Sequence, residues 1–333
     1  MSFKYYIIFI LILYSYGVNG QIVAISQPYK YSQLLSPSLV GDGIYKQRVQ
    51  SGLKSEFLDG TNLYNTAIIG WDRKFQKEDQ VQPNYFGIGT QIISDRLMSG
   101  ILQSNSFSLN MSYHIFLNKS KNTDIALGLG GIYSQAFINK SNLLFEEQFY
   151  PNGVPTGAGS SENLRSFPSN FSISSGVVYK RHSNSSYLRM GGTLFFFDKP
   201  QVTSEALNES MGLRKFAFFN FENEFLDDFT FLFYASINQL SYGRKYEAGA
   251  SISYLITKEQ EEIKRIYFGC NYRRNDAIVP NISFLMENYS LGFSYDINST
   301  PVTGSNVKQQ KFELNYARSF GNKQGNKLRT LFD

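Results

Sequence analysis

FSLNMSYHI, residues 107–115, is the stretch from which the fold is read. Taken alternately it splits into two surfaces: Phe107, Leu109, Met111, Tyr113 and Ile115 on one, Ser108, Asn110, Ser112 and His114 on the other. A period of two belongs to a β-strand, in which successive side chains point to opposite faces of the sheet. A soluble sandwich would turn the apolar face to its core. A transmembrane barrel turns it to lipid and sends the small polar face to a wet lumen. On the barrel reading Asn110 borders water and tolerates a large charged replacement, whereas Met111 does not.

The same alternation recurs along the chain. Phe86, Ile88, Thr90 and Ile92 oppose Gly87, Gly89 and Gln91; Ile125, Leu127 and Leu129 oppose Ala126, Gly128 and Gly130. Strands are expected at 45–55, 63–73, 85–93, 107–117, 125–135, 171–180, 187–196, 213–221, 229–238, 246–256, 266–272, 278–286, 289–297 and 311–318. That makes about fourteen, an even number, as antiparallel closure of a single-chain barrel requires. Connection lengths agree. With both termini in the periplasm, the long connections 136–170, 197–212 and 298–310 fall on outward turns, while 118–124, 181–186 and 287–288 fall on inward ones. Long outside and short inside is the rule for outer-membrane barrels, and a sandwich has no reason to follow it.

Composition points the same way. Aromatics make up 16% of 333 residues, with 23 Tyr and 29 Phe, yet mean hydropathy is only −0.27. Alternating apolar with polar residues hides a lipid-facing surface from such an average, and aromatic girdles at the two membrane interfaces account for the enrichment. A net charge of +5 is mild and reads as a solubilising surface rather than a nucleic-acid footprint. Residues 1–20 read as a signal peptide: Lys4, an apolar run over 5–14, and Val18-Asn19-Gly20 before the cleavage point. Residues 21–43 carry Pro28 and Pro37 without a sustained period and read as an irregular arm, periplasmic or tucked into the lumen. The barrel is placed at 44–320 and a C-terminal tail at 321–333. The single cysteine, Cys270, rules out an internal disulfide framework and falls on a lipid-facing position with Phe268 and Tyr272.

Catalytic and cofactor chemistry finds little support. His114 and His182 are the only histidines, too few and too isolated for a zinc site, and no other metal or cofactor site is expected. Ser112 beside His114 raises a membrane lipase, but a nucleophile needs a base and an orienting group in contact with it, and no further motif supplies them. Gly128, Gly130 and Gly131 lie inside a strand with no following helix, so they are not a dinucleotide loop. The connection 136–170 is different. Loops of this length are uncommon unless functional or disordered, and this one sets Phe145, Phe149 and Tyr150 among Glu146 and Glu147, a candidate partner-binding patch.

Several segments together resemble the PorP/SprF family of outer-membrane proteins of the type IX secretion and gliding machinery. Ser26-Gln27 through SPSLVG at 36–41 is similar to the family's opening, with Ser36 where Asn is usual. GIG at 87–89 leading to Ser94-Asp95, FEEQFYPNG at 145–153, and the paired segments 174–179 and 187–200 follow in family order. YFGCNYRRNDAI at 267–278, SLGFSYDI at 290–297 and FELNYARSF at 312–320 are the most family-like. The resemblance implies a non-enzymatic accessory or anchor that supports secretion or surface attachment of a large adhesin-like protein bearing a C-terminal sorting domain. It also implies contact with other secretion components. A channel or hydrophobic-solute porter of the long-chain-fatty-acid-transporter type, with residues 21–43 as its hatch, is the alternative.

Overall fold

The computed structural model describes residues 25–76, 84–139, 143, 145–150, 169–196, 198, 212–226, 228–240, 243–259, 262–298, 309–321 and 328–332. The expected signal peptide, most of the long outward connection and parts of two others lie outside these residues.

Fourteen antiparallel strands close on themselves. They are β1 (Gln47–Leu58), β2 (Thr61–Phe75), β3 (Tyr85–Leu97), β4 (Leu102–Phe116), β5 (Thr123–Ile138), β6 (Asn170–His182) and β7 (Ser186–Phe195). The ring continues with β8 (Arg214–Leu226), β9 (Phe229–Leu240), β10 (Gly243–Glu259), β11 (Glu262–Arg273), β12 (Ala277–Leu285), β13 (Tyr289–Asn298) and β14 (Gln309–Phe320). Each strand pairs with its sequence neighbour, and β1 pairs with β14 from Gln47↔Phe320 to Leu58↔Gln309. Closure leaves no unpaired edge, the condition for backbone to cross hydrocarbon without water. Register slips occur at Glu56/Phe57, Glu224/Leu226 and Leu255/Thr257, single irregularities in otherwise continuous ladders.

The two faces of β4 separate as their chemistry dictates. Phe107, Leu109, Met111 and Tyr113 are 45–46% exposed, whereas Asn110, Ser112 and His114 are 0–3% exposed. An apolar exterior is stable only against lipid. Leu127 and Leu129 on β5, Ile252 and Tyr254 on β10, Phe268 and Tyr272 on β11, and Leu314 on β14 continue this belt. Cys270 is exposed on the same face. The three apolar clusters lie inward and all include residues from outside the ring: Tyr29, Leu331 and Phe332 in one, Leu35 and Leu39 in another, Ile25 and Tyr31 in the third.

Candidate functional site in the lumen

Residues 25–44 run through the ring as three short turns of helix, Pro28–Lys30, Ser32–Leu35 and Pro37–Leu39. Proline opens two of them, where a missing N–H costs nothing. Ser36 caps the third by accepting from the Ser38 backbone N–H at 3.2 Å, and serine is among the favoured capping residues. Turns this short leave most of their backbone groups unpaired, and the wall supplies partners. Gln50 Nε2 donates to the Lys30 carbonyl at 2.6 Å, Arg189 Nη2 to Tyr29 at 3.0 Å, and Thr193 Oγ1 to Leu35 at 3.0 Å. Gln33 answers in the other direction, with Nε2 donating to the carbonyls of Trp71 and Thr90 at 3.0 and 3.1 Å.

A wet lumen is therefore not what the polar face of β4 meets. Asn110 Nδ2 donates to Gln33 Oε1 at 2.9 Å, and Asn110 is 3% exposed. The expectation that Asn110 tolerates a large charge is overturned, because the space beside it is already filled. Gly128 is explained by the same filling. A Cβ there would stand 2.3 Å from the Ser38 nitrogen, and one at Gly87 would stand 2.4 Å from the Val40 carbonyl oxygen. At these points the wall is glycine so that arm backbone can lie directly on it.

Two charged knots hold the ends of this segment. At one, Asp42 accepts from Tyr187 Oη at 2.6 Å and pairs with Lys180 Nζ at 2.9 Å and Arg189 Nη1 at 3.5 Å. Burial alone would raise the Asp42 carboxyl; Lys180 and Arg189 outweigh it and hold the group well below the usual carboxylate range. Next to it, Gly41 N–H donates to Asp72, which pairs with Arg48 at 3.1 Å. At the other end, Ser26 Oγ donates to Asp296 at 2.6 Å, and Asp296 pairs with Arg273 at 2.6 Å and Lys54 at 3.1 Å. Ser26 also donates its backbone N–H to Glu313.

Ser112, His114 and Asp124 do come together, with Ser112 Oγ 2.9 Å from His114 Nε2 and Asp124 Oδ2 3.3 Å from Nδ1. The protons are placed the wrong way for a nucleophile. Lys180 Nζ lies 2.9 Å from Nδ1, so Nδ1 accepts; the Val40 carbonyl lies 2.9 Å from Nε2, so Nε2 donates. Ser112 Oγ also donates to Val40, at 2.7 Å. A triad needs the opposite tautomer, and Val40 occupies the place of a substrate. Stacked on Tyr85 at 4.1 Å, His114 serves as a clasp for the arm.

The C-terminal residues enter the same space. Leu328 N–H donates to the Ser183 carbonyl at 3.1 Å, His182 Nε2 lies 2.7 Å from the Leu328 carbonyl, and Arg48 Nη1 donates to the Phe332 carbonyl at 2.8 Å. The Phe332 ring meets Tyr29 edge-on at 6.0 Å and lies under the Arg189 guanidinium at 4.6 Å. In the sequence this segment is only a tail; the signal for its burial is the apolar Leu328, Leu331 and Phe332 after the polar run 321–327.

A family profile for the type IX secretion system membrane protein PorP/SprF matches residues 18–319, nearly the whole of the strand ring and the arm. The chain belongs to the PorP/SprF family. It is thus an outer-membrane barrel of the type IX secretion system, and other components of that system are its partners. No curated protein matches it. Solved structures that resemble this PorP/SprF barrel include the CymD monoaromatic hydrocarbon channel, at 12% identity and TM-score 0.47 over 92% of this chain and 96% of that one. The P. putida toluene transporter TodX is 8% identical, with TM-score 0.47 over 86% and 93% of the two chains. A Pseudomonas aeruginosa FadL homologue is 10% identical, with TM-score 0.43 over 83% and 91%. Likeness at this distance carries no functional weight.

Of the candidate partner-binding residues, the PorP/SprF chain places Phe145 half-buried before a single helical turn, Glu146–Gln148, with Phe145 N–H donating to Gln148 Oε1 at 2.9 Å. Glu146 is exposed, and Phe149 and Tyr150 are 37% and 54% exposed. The Glu147 side chain lies outside the described residues.

Proposed function

We propose that this barrel is an accessory or anchoring component of type IX secretion, supporting the secretion or surface attachment of a large adhesin-like protein with a C-terminal sorting domain. Family membership sets the system. The observation that carries the finer reading is the filled lumen: residues 25–44 reach wall residues on strands around the ring and bury a charged knot at each end. A porter needs a passage, and moving this segment would separate buried ion pairs, each costly to break from one side. A barrel so occupied is suited to holding a partner at its rim.

The patch at 145–150 is the proposed contact. Its aromatics supply anchor area, each worth about 2 kcal/mol or more when buried at an interface, and Glu146 and Glu147 would steer a basic partner surface. Replacing Phe145, Phe149 and Tyr150 together by Ser tests the reading. A heat-modifiable, closed barrel that loses its adhesin from the cell surface supports it. Unchanged display with raised small-solute permeability makes the loop a constriction and favours the porter.

A further inference from the structure

On the lipid-facing wall of β8–β11 the register stacks three rows of different chemistry. Phe219, Ala235, Ala248 and Tyr272 are direct cross-strand partners in one row. The next, toward the end of the barrel that carries the long connections, contains Ala217, Ile237 and Tyr246. Arg274 extends that row through its backbone N–H, which donates to the Tyr246 carbonyl at 3.0 Å. Beyond it, Lys215 and Arg244 flank Gln239. The three alanines leave a hollow of about 560 Å³ in a belt otherwise built from large side chains, a volume within the range of ligand sites.

Arg274 lines the hollow, and Lys215 and Arg244 stand one row beyond it. Lys215, Arg244 and Arg274 are all exposed, and among the described residues none is in an ion pair. Arg274 lies over the Tyr246 ring at 5.5 Å, which aims its guanidinium along the wall at the top of the hollow. By the loop-length rule this is the outer leaflet. Cations above an aromatic row, with an apolar recess beneath, follow the order of groups in a membrane lipid: anionic head, interface, chain. Guanidinium groups bind phosphate through paired, charge-assisted hydrogen bonds.

We propose that this hollow is a binding site for a phosphorylated lipid of the outer leaflet, its chain lying on Ala217, Ala235 and Ala248 and its phosphate between Arg244 and Arg274. The site is independent of the partner-holding function proposed above. The test is native mass spectrometry of the purified full-length barrel, offered diphosphorylated lipid A, the same lipid stripped of phosphate, or phosphatidylethanolamine. Wild type should retain one lipid A under activation that removes the other two. Replacing Lys215, Arg244 and Arg274 together by Gln should lower that occupancy about tenfold, the loss of roughly one charged hydrogen bond's net contribution. Ala235→Trp, which fills the recess, should lower it too, and Arg318→Gln, at the opposite rim, should leave it unchanged. All variants are first checked for heat-modifiable migration. Equal retention by the triple variant, equal retention of the phosphate-free lipid, full retention by Ala235→Trp, or complete displacement by inorganic phosphate would each overturn the assignment.

Discussion

Residues 25–44 and 328–332 occupy one lumen with a different balance of contacts. The N-terminal segment is held by polar contacts: Asp42 against Lys180 and Arg189, Ser26 against Asp296, and Gln33 against wall carbonyls. The C-terminal segment adds rings to polar contacts of its own: Leu331 and Phe332 pack into the cluster of Tyr29, Tyr187, Tyr234 and Tyr267, while Leu331 N–H donates to Glu222 Oε2 at 3.2 Å and Arg329 Nε to the Glu287 carbonyl at 3.1 Å. Arg189 joins them, contacting Asp42, the Tyr29 carbonyl and the Phe332 ring. A displaced buried ion pair leaves uncompensated charge behind, whereas aromatic packing adds apolar burial with orientation preferences of its own.

Breaking the polar end should have the larger effect. Asp42→Ala strands Lys180 and Arg189 in the interior and should cost about 3–5 kcal/mol of arm docking. Trypsin should then cut at Lys30, which is 4% exposed in the intact protein, while the strand ring keeps its heat-modifiable migration. Persistent protection of Lys30 would place the hold elsewhere. Phe332→Leu, which keeps most of the apolar volume, should cost less, about 1.5 kcal/mol or under, and should leave Lys30 protected. If it exposes Lys30 as fully as Asp42→Ala, the two ends form one unit and the contrast fails.

A smaller effect separates the ends by pH. Among the described residues Lys30 Nζ is buried with no hydrogen-bond partner, and burial lowers its pKa to about 7. A released arm holds that proton at pH values where the docked arm has lost it. Docking should therefore strengthen as pH rises from about 7 toward the ordinary lysine value, and Lys30→Met should abolish this dependence, read as the rate of arm proteolysis with a pH-independent protease. A slope that survives Lys30→Met would assign the titration to another group.

This contrast also explains what was legible in the sequence. Fourteen strands and their facing followed from alternation, because lipid on one side forces a period of two on every strand. What lay on the other side was legible only as one of two alternatives, since residues 21–43 could stay in the periplasm or enter the lumen. Small polar residues such as Asn110 and Ser112 serve equally well against water or against backbone, so they pointed to a wet lumen where the arm in fact lies. Nothing near Gly128 or Gly87 in sequence shows what lies on them, since their contacts with Ser38 and Val40 span 90 and 47 residues of sequence. Leu331 and Phe332 carried a signal, but two apolar residues at a chain end have no period. The aromatic and acidic patch at 145–150 stood out by composition alone.

The central claim is that residues 25–44 and 328–332 close the lumen, leaving a barrel that holds a partner rather than passing a solute. Planar-bilayer recording of the purified protein tests it most directly. Wild type should give no steady current above the bare bilayer at any holding potential, while Asp42→Ala, with its arm released, should give discrete steps. A sustained ohmic current through wild type would contradict the account.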